Sequence, residues 1–214
     1  MHPAMEAVQQ TKIIAIVRGL PQEHMLGLAQ ALYAGGITCI EVTFDQANPE
    51  SWRDTAASIE AVGARFAATM LVGAGTVIQP EQLSMAAKAG ARYIVTPNVD
   101  TGIIRRGKEM GLAVFPGALT PTEIALAHSA GADAVKLFPA GQYGPDYVRA
   151  VRAPLSHVPF IAVGGIDEKS AGGFISAGCI AVGIGGNLIR RDWIARGAWD
   201  RITGLANEYR KAVQ

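Results

Sequence analysis

Eight apolar segments recur along the chain at intervals of roughly 20 to 30 residues, which is the spacing of alternating strands and helices. Most are continuous apolar runs, a pattern typical of parallel strands covered on both faces. The segments are Ile13 to Val17, Cys39 to Phe44, Leu71 to Thr76, Tyr93 to Pro97, Ala113 to Gly117, Ala134 to Phe138, Phe160 to Ile166 and Ile180 to Gly186. Eight such units predict an α/β protein with one domain over residues 1–214, a closed (βα)8 TIM barrel. An open, doubly wound sheet is the alternative.

Helical patterns fill the intervals between these segments. Three of them end in Ala-Gly directly before a strand, in AGGITCIEV, AGARYIVTP and AGADAVKLF, where glycine can adopt the left-handed conformation of a helix C-terminus. Thr120 is placed to cap a helix whose first turn contains Pro121. We also expect a short N-terminal helix over residues 3–10 and a last helix from about Arg196 to Ala212.

Composition excludes several classes of function. The net charge is +1 and no basic tract is present, so nucleic acid is not an expected partner. The apolar runs are too short to span a membrane, and the N-terminus lacks the apolar region of a signal peptide, so we expect a cytoplasmic protein. Cys39 and Cys179 lie in apolar runs and are expected to be buried free thiols. The four histidines have no ligand spacing, so neither a metal nor another cofactor is expected.

Polar residues gather at the C-terminal ends of the predicted strands, where this fold carries its chemistry. They include Arg18, Glu41, Thr76 and Lys136. Each also has a purely structural interpretation. Arg18 could form a salt bridge with a neighbouring loop, Thr76 could cap the next helix, and Glu41 could pair with Lys136 inside the barrel.

Lys136 interrupts the apolar run AVKLFP. If Lys136 faces the barrel interior, strand alternation places Ala134 and Phe138 inside with it, while its direct neighbours in the strand face the helices. Desolvation lowers the pKa of a buried amine, and a neutral amine can attack a ketone to form an iminium. With Glu41 as a proton carrier, this pair indicates a metal-independent lyase that breaks a carbon–carbon bond.

Two glycine turns follow the last two predicted strands. They are Gly164-Gly165 and Gly185-Gly186-Asn187, and the chain is expected to enter helices at Asp167 and after Asn187. Glycine lets backbone N–H groups approach an anion closely, and the loops after strands seven and eight are the usual phosphate site of this fold. These five residues are therefore candidates for binding phosphate, although tight turns without a ligand would show the same pattern.

The segments IEVTF, VGAGTV, VTPN, VFPGALTPTE, AVKLFP, AVGGI and GIGGNLI occur in order and resemble the 2-keto-3-deoxy-6-phosphogluconate and -galactonate aldolases. The resemblance implies a class I aldolase on a (βα)8 barrel, typically a homotrimer. Its members cleave a phosphorylated 2-keto-3-deoxy sugar acid to pyruvate and D-glyceraldehyde 3-phosphate. It further implies that Lys136 forms the Schiff base, that Glu41 is the general acid and base, and that Thr76, Pro97 and Phe138 hold the pyruvoyl end.

Three positions bear on which sugar acid is cleaved. The gluconate type carries an arginine for the substrate carboxylate after its glutamate strand, whereas this chain has Asp45 there. Arg18 matches the galactonate type and could bind that carboxylate instead, and Val163 stands where the gluconate type has threonine near the C4 hydroxyl. These positions favour the galactonate substrate, although Asp45 fits neither type.

Other activities stay open at this point. The gluconate substrate and 4-hydroxy-2-oxoglutarate are alternatives within the same chemistry. A sugar-phosphate isomerase on the same barrel would use Glu41 as its base without a covalent step at Lys136. A sensor of sugar phosphates would bind its ligand without turnover.

Overall fold

The computed structural model describes residues 2–214 and contains nine strands and ten α-helices in that part of the chain. The strands are β1 (Ile13–Arg18), β2 (Cys39–Thr43), β3 (Leu71–Gly75), β4 (Tyr93–Val95), β5 (Ala113–Phe115), β6 (Gly117–Ala118), β7 (Val135–Leu137), β8 (Phe160–Val163) and β9 (Ala181–Ile184). The helices are α1 (Pro3–Thr11), α2 (Gln22–Ala34), α3 (Trp52–Phe66), α4 (Pro80–Lys88), α5 (Thr101–Glu109), α6 (Pro121–Ser129), α7 (Gly144–Arg152), α8 (Ala171–Ser176), α9 (Arg191–Ile194) and α10 (Trp199–Ala212).

All neighbouring strands are parallel, in the order β5-β4-β3-β2-β1-β9-β8-β7-β6. The two outermost members of this order, β5 and β6, are consecutive in the chain and separated only by Pro116. They are therefore two halves of one barrel strand, which pairs with β4 through its first half and with β7 through its second. The predicted (βα)8 barrel is confirmed, and the alternative of an open sheet is wrong.

Pro116 explains why one expected strand, Ala113 to Gly117, is observed as two. Proline has no N–H group to donate to a neighbouring strand, so the ladder is interrupted at this residue. Its carbonyl oxygen still accepts a hydrogen bond from the backbone N–H of Lys136 at 2.9 Å. The interruption therefore leaves the barrel closed beside the lysine strand.

Strand alternation separates two apolar layers. Residues such as Ile13, Ala15 and Val17 on β1 pack outward against the helices, while Ile14 and Ile16 belong to a second cluster inside the barrel. Ala4, Met5 and Val8 from α1 join this inner cluster. Because α1 ends one residue before β1 begins, it covers the barrel at the N-terminal ends of the strands.

The expected helix ends are largely confirmed. The hydroxyl of Thr120 accepts a hydrogen bond from the Glu123 N–H, and the Glu123 carboxylate accepts one from the Thr120 N–H at 2.8 Å, which together form a capping box. Gly36, Gly90 and Gly131 follow their helices with φ of 82°, 86° and 103°.

Other helix boundaries differ from the expected ones. The last helix begins at Trp199, after the short helix α9, and α1 extends to Thr11. No helix in residues 2–214 has both the length and the apolar character needed to cross a membrane. Cys39 and Cys179 are buried free thiols as predicted, and burial raises the pKa of each to about 12.

Candidate active site

Lys136 lies in the middle of β7 and faces the barrel interior. Its side chain is only 7% exposed, while Val135 and Leu137 pack in the outer apolar layer and Ala134 belongs to the inner cluster. Phe138 differs from the expectation, since it is 40% exposed and lies at the mouth of the barrel. Its ring centroid is 4.9 Å from the Lys136 Nζ, so the ring still borders the amine.

The ammonium form of Lys136 is disfavoured in this position. Burial lowers the pKa of Lys136 below its ordinary value of 10.5, and the nearby Arg18 guanidinium lowers it further, while the Glu41 carboxylate opposes both effects. The three salt bridges in residues 2–214 involve neither Lys136 nor Glu41. The Lys136 amine nitrogen and the Glu41 carboxylate oxygens are therefore more than 4.0 Å apart, and the interpretation of these two residues as a structural ion pair is wrong.

Glu41 enters the interior from β2 and is 2% exposed. Burial raises the pKa of Glu41 above 4.5, and the positive charges of Lys136 and Arg18 partly offset this effect. Opposing pKa shifts on a buried amine and a buried carboxyl are characteristic of groups that exchange protons in a reaction. Both side chains are buried inside the barrel, and each influences the pKa of the other.

Two glycines on β3 create the space that Glu41 needs. A Cβ atom at Gly75 would overlap the Glu41 carboxylate, and one at Gly73 would overlap the Tyr93 ring. Tyr93 donates a hydrogen bond from its hydroxyl to the Ile40 carbonyl at 2.7 Å and packs on Phe115, with 5.4 Å between ring centroids. The floor beneath Glu41 is therefore apolar, which is the cause of its desolvation.

A cavity of about 390 Å³ opens at the C-terminal ends of the strands. Neither Lys136 nor Glu41 lines it, but its residue Gly164 lies against the Phe138 ring, which borders the Lys136 amine. The cavity collects Arg18, Val163 and all five residues of the predicted phosphate set. The complete lining is Ile16, Arg18, Val163, Gly164, Gly165, Ile166, Gly183, Gly185, Gly186, Asn187, Ile189 and Arg191. The structure therefore brings both glycine turns together at one cavity.

The glycine loop after β8 contacts the segment that directly follows the lysine strand β7. Gly164 and Gly165 have φ of 97° and 74°, values that favour glycine, and a Cβ atom at Gly164 would lie 3.1 Å from the Phe138 ring. The Gly164 carbonyl accepts a hydrogen bond from the Gly141 N–H at 2.8 Å. The amide of Asn187 donates to the Ile166 carbonyl at 2.9 Å, which connects the loops after β8 and β9.

The expected helix start at Asp167 is wrong, whereas a helix does follow Asn187. A turn in which the Ser170 hydroxyl donates to the Asp167 carboxylate precedes α8, so that helix begins at Ala171, and α9 begins at Arg191. The cavity is lined at these turns by loop residues that precede the two helices. A phosphate role for Gly164, Gly165, Gly185, Gly186 and Asn187 stays a prediction.

Thr76 has a left-handed backbone with φ of 56°, an unfavourable conformation for a β-branched residue. Its carbonyl oxygen accepts a hydrogen bond from the Gln46 amide at 2.8 Å, and Gln46 in turn accepts one from the buried Gln82. The following helix α4 begins at Pro80, so Thr76 does not cap it. Strain supported by such a network is typical of functional positions.

Pro97 is exposed at the end of the fourth strand segment and lies against Gly117, where a Cβ atom would meet the Pro97 carbonyl group. Gly117 is the direct neighbour of Lys136 in the sheet. Pro97 therefore borders the lysine strand, as the resemblance implies.

Asp45 takes part in local turn contacts. Its side chain is exposed and accepts a hydrogen bond from the Ala47 N–H at 2.9 Å, while its carbonyl accepts one from the Trp52 indole. Asp45 stabilises the turn before α3. The structural explanation of a local salt bridge also fails for Arg18, which takes part in none of the three present in residues 2–214.

Two residues of this region are absent from the predicted site. Thr43 faces inward on β2 two residues after Glu41, is 4% exposed, and has a hydroxyl without a hydrogen-bond partner in residues 2–214. Strand alternation with Glu41 could have identified it. Arg191 lines the cavity from the first position of the short helix α9, where no periodic pattern predicts the direction of a side chain.

Comparison with known proteins agrees with this geometry. The family described as KDPG and KHG aldolase matches residues 5–205. The 2-dehydro-3-deoxy-6-phosphogalactonate aldolase of Escherichia coli K12 is 36% identical over 96% of this chain and 98% of its own length. A solved structure described as native KDPGal is 35% identical, covers 94% of this chain and 93% of its own, and superimposes with a TM-score of 0.84.

A second solved structure bears on the covalent chemistry. The KDPG aldolase of Legionella pneumophila was captured with pyruvate as a covalent carbinolamine. It is 27% identical, covers 95% of this chain and 96% of its own, and has a TM-score of 0.83. On the strength of these similarities, which extend over nearly its whole length, this chain belongs to the KDPG and KHG aldolase family.

Proposed function

We propose that this protein is a class I aldolase that cleaves 2-dehydro-3-deoxy-6-phosphogalactonate to pyruvate and D-glyceraldehyde 3-phosphate. The observation that carries the proposal is the buried, unpaired amine of Lys136, which shares the barrel interior with Glu41 and lies next to a cavity lined by glycine turns. Family membership supports the wider class, a carbon–carbon lyase.

The reaction begins at the Lys136 amine. Its neutral form attacks the C2 ketone of the substrate, and loss of water from the carbinolamine gives an iminium. Glu41, as carboxylate, takes the proton from the C4 hydroxyl. The C3–C4 bond then breaks, the aldehyde leaves, and the bonding electrons form an enamine with the former iminium carbon.

The second half of the reaction regenerates the free Lys136 amine and the Glu41 carboxylate. The protonated Glu41 donates its proton to C3 of the enamine, which restores an iminium of pyruvate. Water adds to the iminium carbon, and collapse of this adduct releases pyruvate and the free amine. The raised pKa of Glu41 makes its carboxylate a stronger base toward the C4 hydroxyl, and a pKa closer to the working pH lets the same group return the proton to C3.

Arg18 and the glycine turns suit the two anionic ends of such a substrate. Arg18 is close enough to the catalytic pair to alter both pKa values, and in our proposal its guanidinium binds the C1 carboxylate. Thr76, Pro97 and Phe138 hold the pyruvoyl end, and the glycine turns bind the C6 phosphate. Val163 lines the cavity and lies near C4, where the galactonate and gluconate forms differ.

The name of the Escherichia coli relative, the presence of Arg18 and Val163, and the lack of an arginine at position 45 favour the galactonate form. We also propose that the protein is a cytoplasmic homotrimer. That assembly rests on the family resemblance alone.

Covalent trapping tests the mechanism. Incubation with pyruvate and borohydride should add one reduced pyruvoyl group to Lys136, located by mass spectrometry of its peptide, and the Lys136→Arg variant should show no adduct. A substantial turnover retained by Lys136→Arg would instead favour the isomerase, since that reaction needs no covalent bond to lysine.

A kinetic comparison tests the substrate. The value of kcat/KM should be higher for the galactonate than for the gluconate phosphate, and Val163→Thr should weaken this preference because its hydroxyl can bond to the other C4 configuration. A strong gluconate preference in the unmodified protein would refute the choice of substrate while leaving the aldolase mechanism intact.

A further inference from the structure

We propose that Arg191 is a specificity-determining residue that binds the phosphate group of the substrate at the glycine-lined cavity. The inference rests on the proposed function for the identity of the substrate and adds a side-chain ligand to the glycine turns.

The charge of the cavity lining supports this assignment. The lining contains two guanidinium groups, from Arg18 and Arg191, and no aspartate or glutamate. Neither arginine takes part in a salt bridge within residues 2–214. Two unpaired cations in one concave wall create a positive potential that favours an anionic ligand.

The guanidinium of Arg191 is held in place but is largely unused. Its Nη2 donates a hydrogen bond to the Arg18 carbonyl at 2.8 Å and lies beside Gly19, where a Cβ atom would approach it to 3.2 Å. No other hydrogen bond of this side chain occurs within the described part of the protein. A guanidinium has five N–H donors, so several remain for a phosphate.

The adjacent arginine, Arg190, by contrast has partners for its guanidinium within the protein. Arg190 is 3.6 Å from the Asp192 carboxylate, and its guanidinium lies 4.9 Å from the Trp193 ring centroid. Arg190 is absent from the cavity lining. Of these consecutive arginines, Arg191 is the one that is free to bind a ligand.

The two cavity arginines are suited to different ends of the substrate. Arg18 lowers the pKa of both Lys136 and Glu41, which indicates that it is near the reacting carbons and the C1 carboxylate. Arg191 begins α9, after the β9 glycine turn, and lines the cavity together with both glycine turns. Its planar guanidinium matches a phosphate with two parallel hydrogen bonds.

The test compares Arg191→Gln with Arg196→Gln. Arg196 is exposed and does not line the cavity, so this control removes the same charge from the same region. In Arg191→Gln we expect kcat/KM for the phosphorylated keto-deoxy sugar acid to fall about 10-fold to 100-fold, mainly through KM, because charge-assisted hydrogen bonds to the ligand are lost. Cleavage of 4-hydroxy-2-oxoglutarate, which has no phosphate, should change less than about twofold in both variants.

Calorimetric titration with inorganic phosphate gives a second readout that does not require turnover. Arg191→Gln should weaken phosphate binding by a similar factor, and Arg196→Gln should leave it unchanged. Equal losses with both substrates, or an unchanged phosphate affinity, would overturn the assignment, since a merely structural arginine would act in that way.

The same experiments separate this inference from the proposed aldolase activity. Failure of pyruvate and borohydride to modify Lys136 would refute the mechanism, whereas the phosphate titration would still decide the role of Arg191. Normal trapping on Lys136 in Arg191→Gln, combined with weaker phosphate binding, is the result expected when both are correct.

Discussion

Burial acts on Lys136 and Glu41 in opposite directions. It lowers the pKa of the amine, because the charged form is the protonated one, and it raises the pKa of the carboxyl, because the charged form is the deprotonated one. Each group is shifted toward its neutral state. The shift increases the nucleophilic fraction of the amine and the basicity of the carboxylate, which are the two properties that the proposed first steps require.

Two substitutions should shift the pH dependence of trapping in opposite directions. The neutral fraction of Lys136 increases as the pH rises through its pKa, so the trapping rate at saturating pyruvate should rise with pH to a midpoint below 10.5. Glu41→Gln removes a negative charge that raises this pKa, so the midpoint should move to lower pH. Arg18→Met removes a positive charge that lowers it, so the midpoint should move to higher pH.

The midpoint, rather than the maximal rate, is the quantity to compare, because both residues also serve the reaction. Shifts in the same direction for the two variants would contradict the electrostatic arrangement described above.

Strand β3 contributes to catalysis because two of its inward-facing residues are glycines. Gly73 and Gly75 provide no side chains on the inner face, and Tyr93 and Glu41 from the neighbouring strands occupy that volume. The direction of the Glu41 carboxylate is therefore determined by an adjacent strand. An added methyl group would have to displace either the carboxylate or the strand.

Gly75→Ala should reduce kcat by about 100-fold or more, since misplacing a catalytic group by about 1 Å can cost that much. Gly63→Ala is the matched control, because a Cβ atom at Gly63, within α3, meets no atom within 4 Å. It should leave kcat unchanged and increase the free energy of unfolding by about 0.5–1 kcal/mol, the usual gain from alanine in a helix. Retention of full activity in Gly75→Ala would show that Glu41 tolerates another position.

The barrel as a whole depends on helix α1 at its N-terminal end. Val8 is fully buried and packs with the interior cluster, whereas Gln9 on the same helix is exposed. An aspartate at position 8 would bring a charge into an apolar interior that offers no partner.

Val8→Asp should lower the free energy of unfolding by about 3 kcal/mol or more, measured by urea denaturation, because it combines lost packing with a buried charge. Gln9→Asp should change the same quantity by less than about 0.5 kcal/mol, as is usual for surface substitutions. Similar stabilities of the two variants would mean that α1 is not part of the interior packing.

The sequence predicted those parts of the molecule in which apolar residues repeat at short, regular intervals. Continuous apolar runs predicted the eight barrel strands, and alternation predicted that Ala134 shares the face of Lys136. The glycine turns converge as expected because the ends of parallel strands lie on one side of a barrel.

Features that depend on distant contacts were not predictable in this way. The direction of Arg191 follows from its hydrogen bond to the Arg18 carbonyl, far away in the sequence, and the start of α8 follows from the turn between Asp167 and Ser170. The interruption of one strand at Pro116 was readable in principle, since a proline inside a strand pattern is itself a signal.

The cover that α1 places over one end of the barrel also sets an order of events. Because that end is closed, substrate enters and products leave through the opposite opening, where the phosphate-bearing half of the substrate is proposed to bind. The three-carbon aldehyde then departs first, and the keto acid, still bonded to Lys136 behind it, departs second. Steady-state inhibition patterns should therefore identify pyruvate as the last product released.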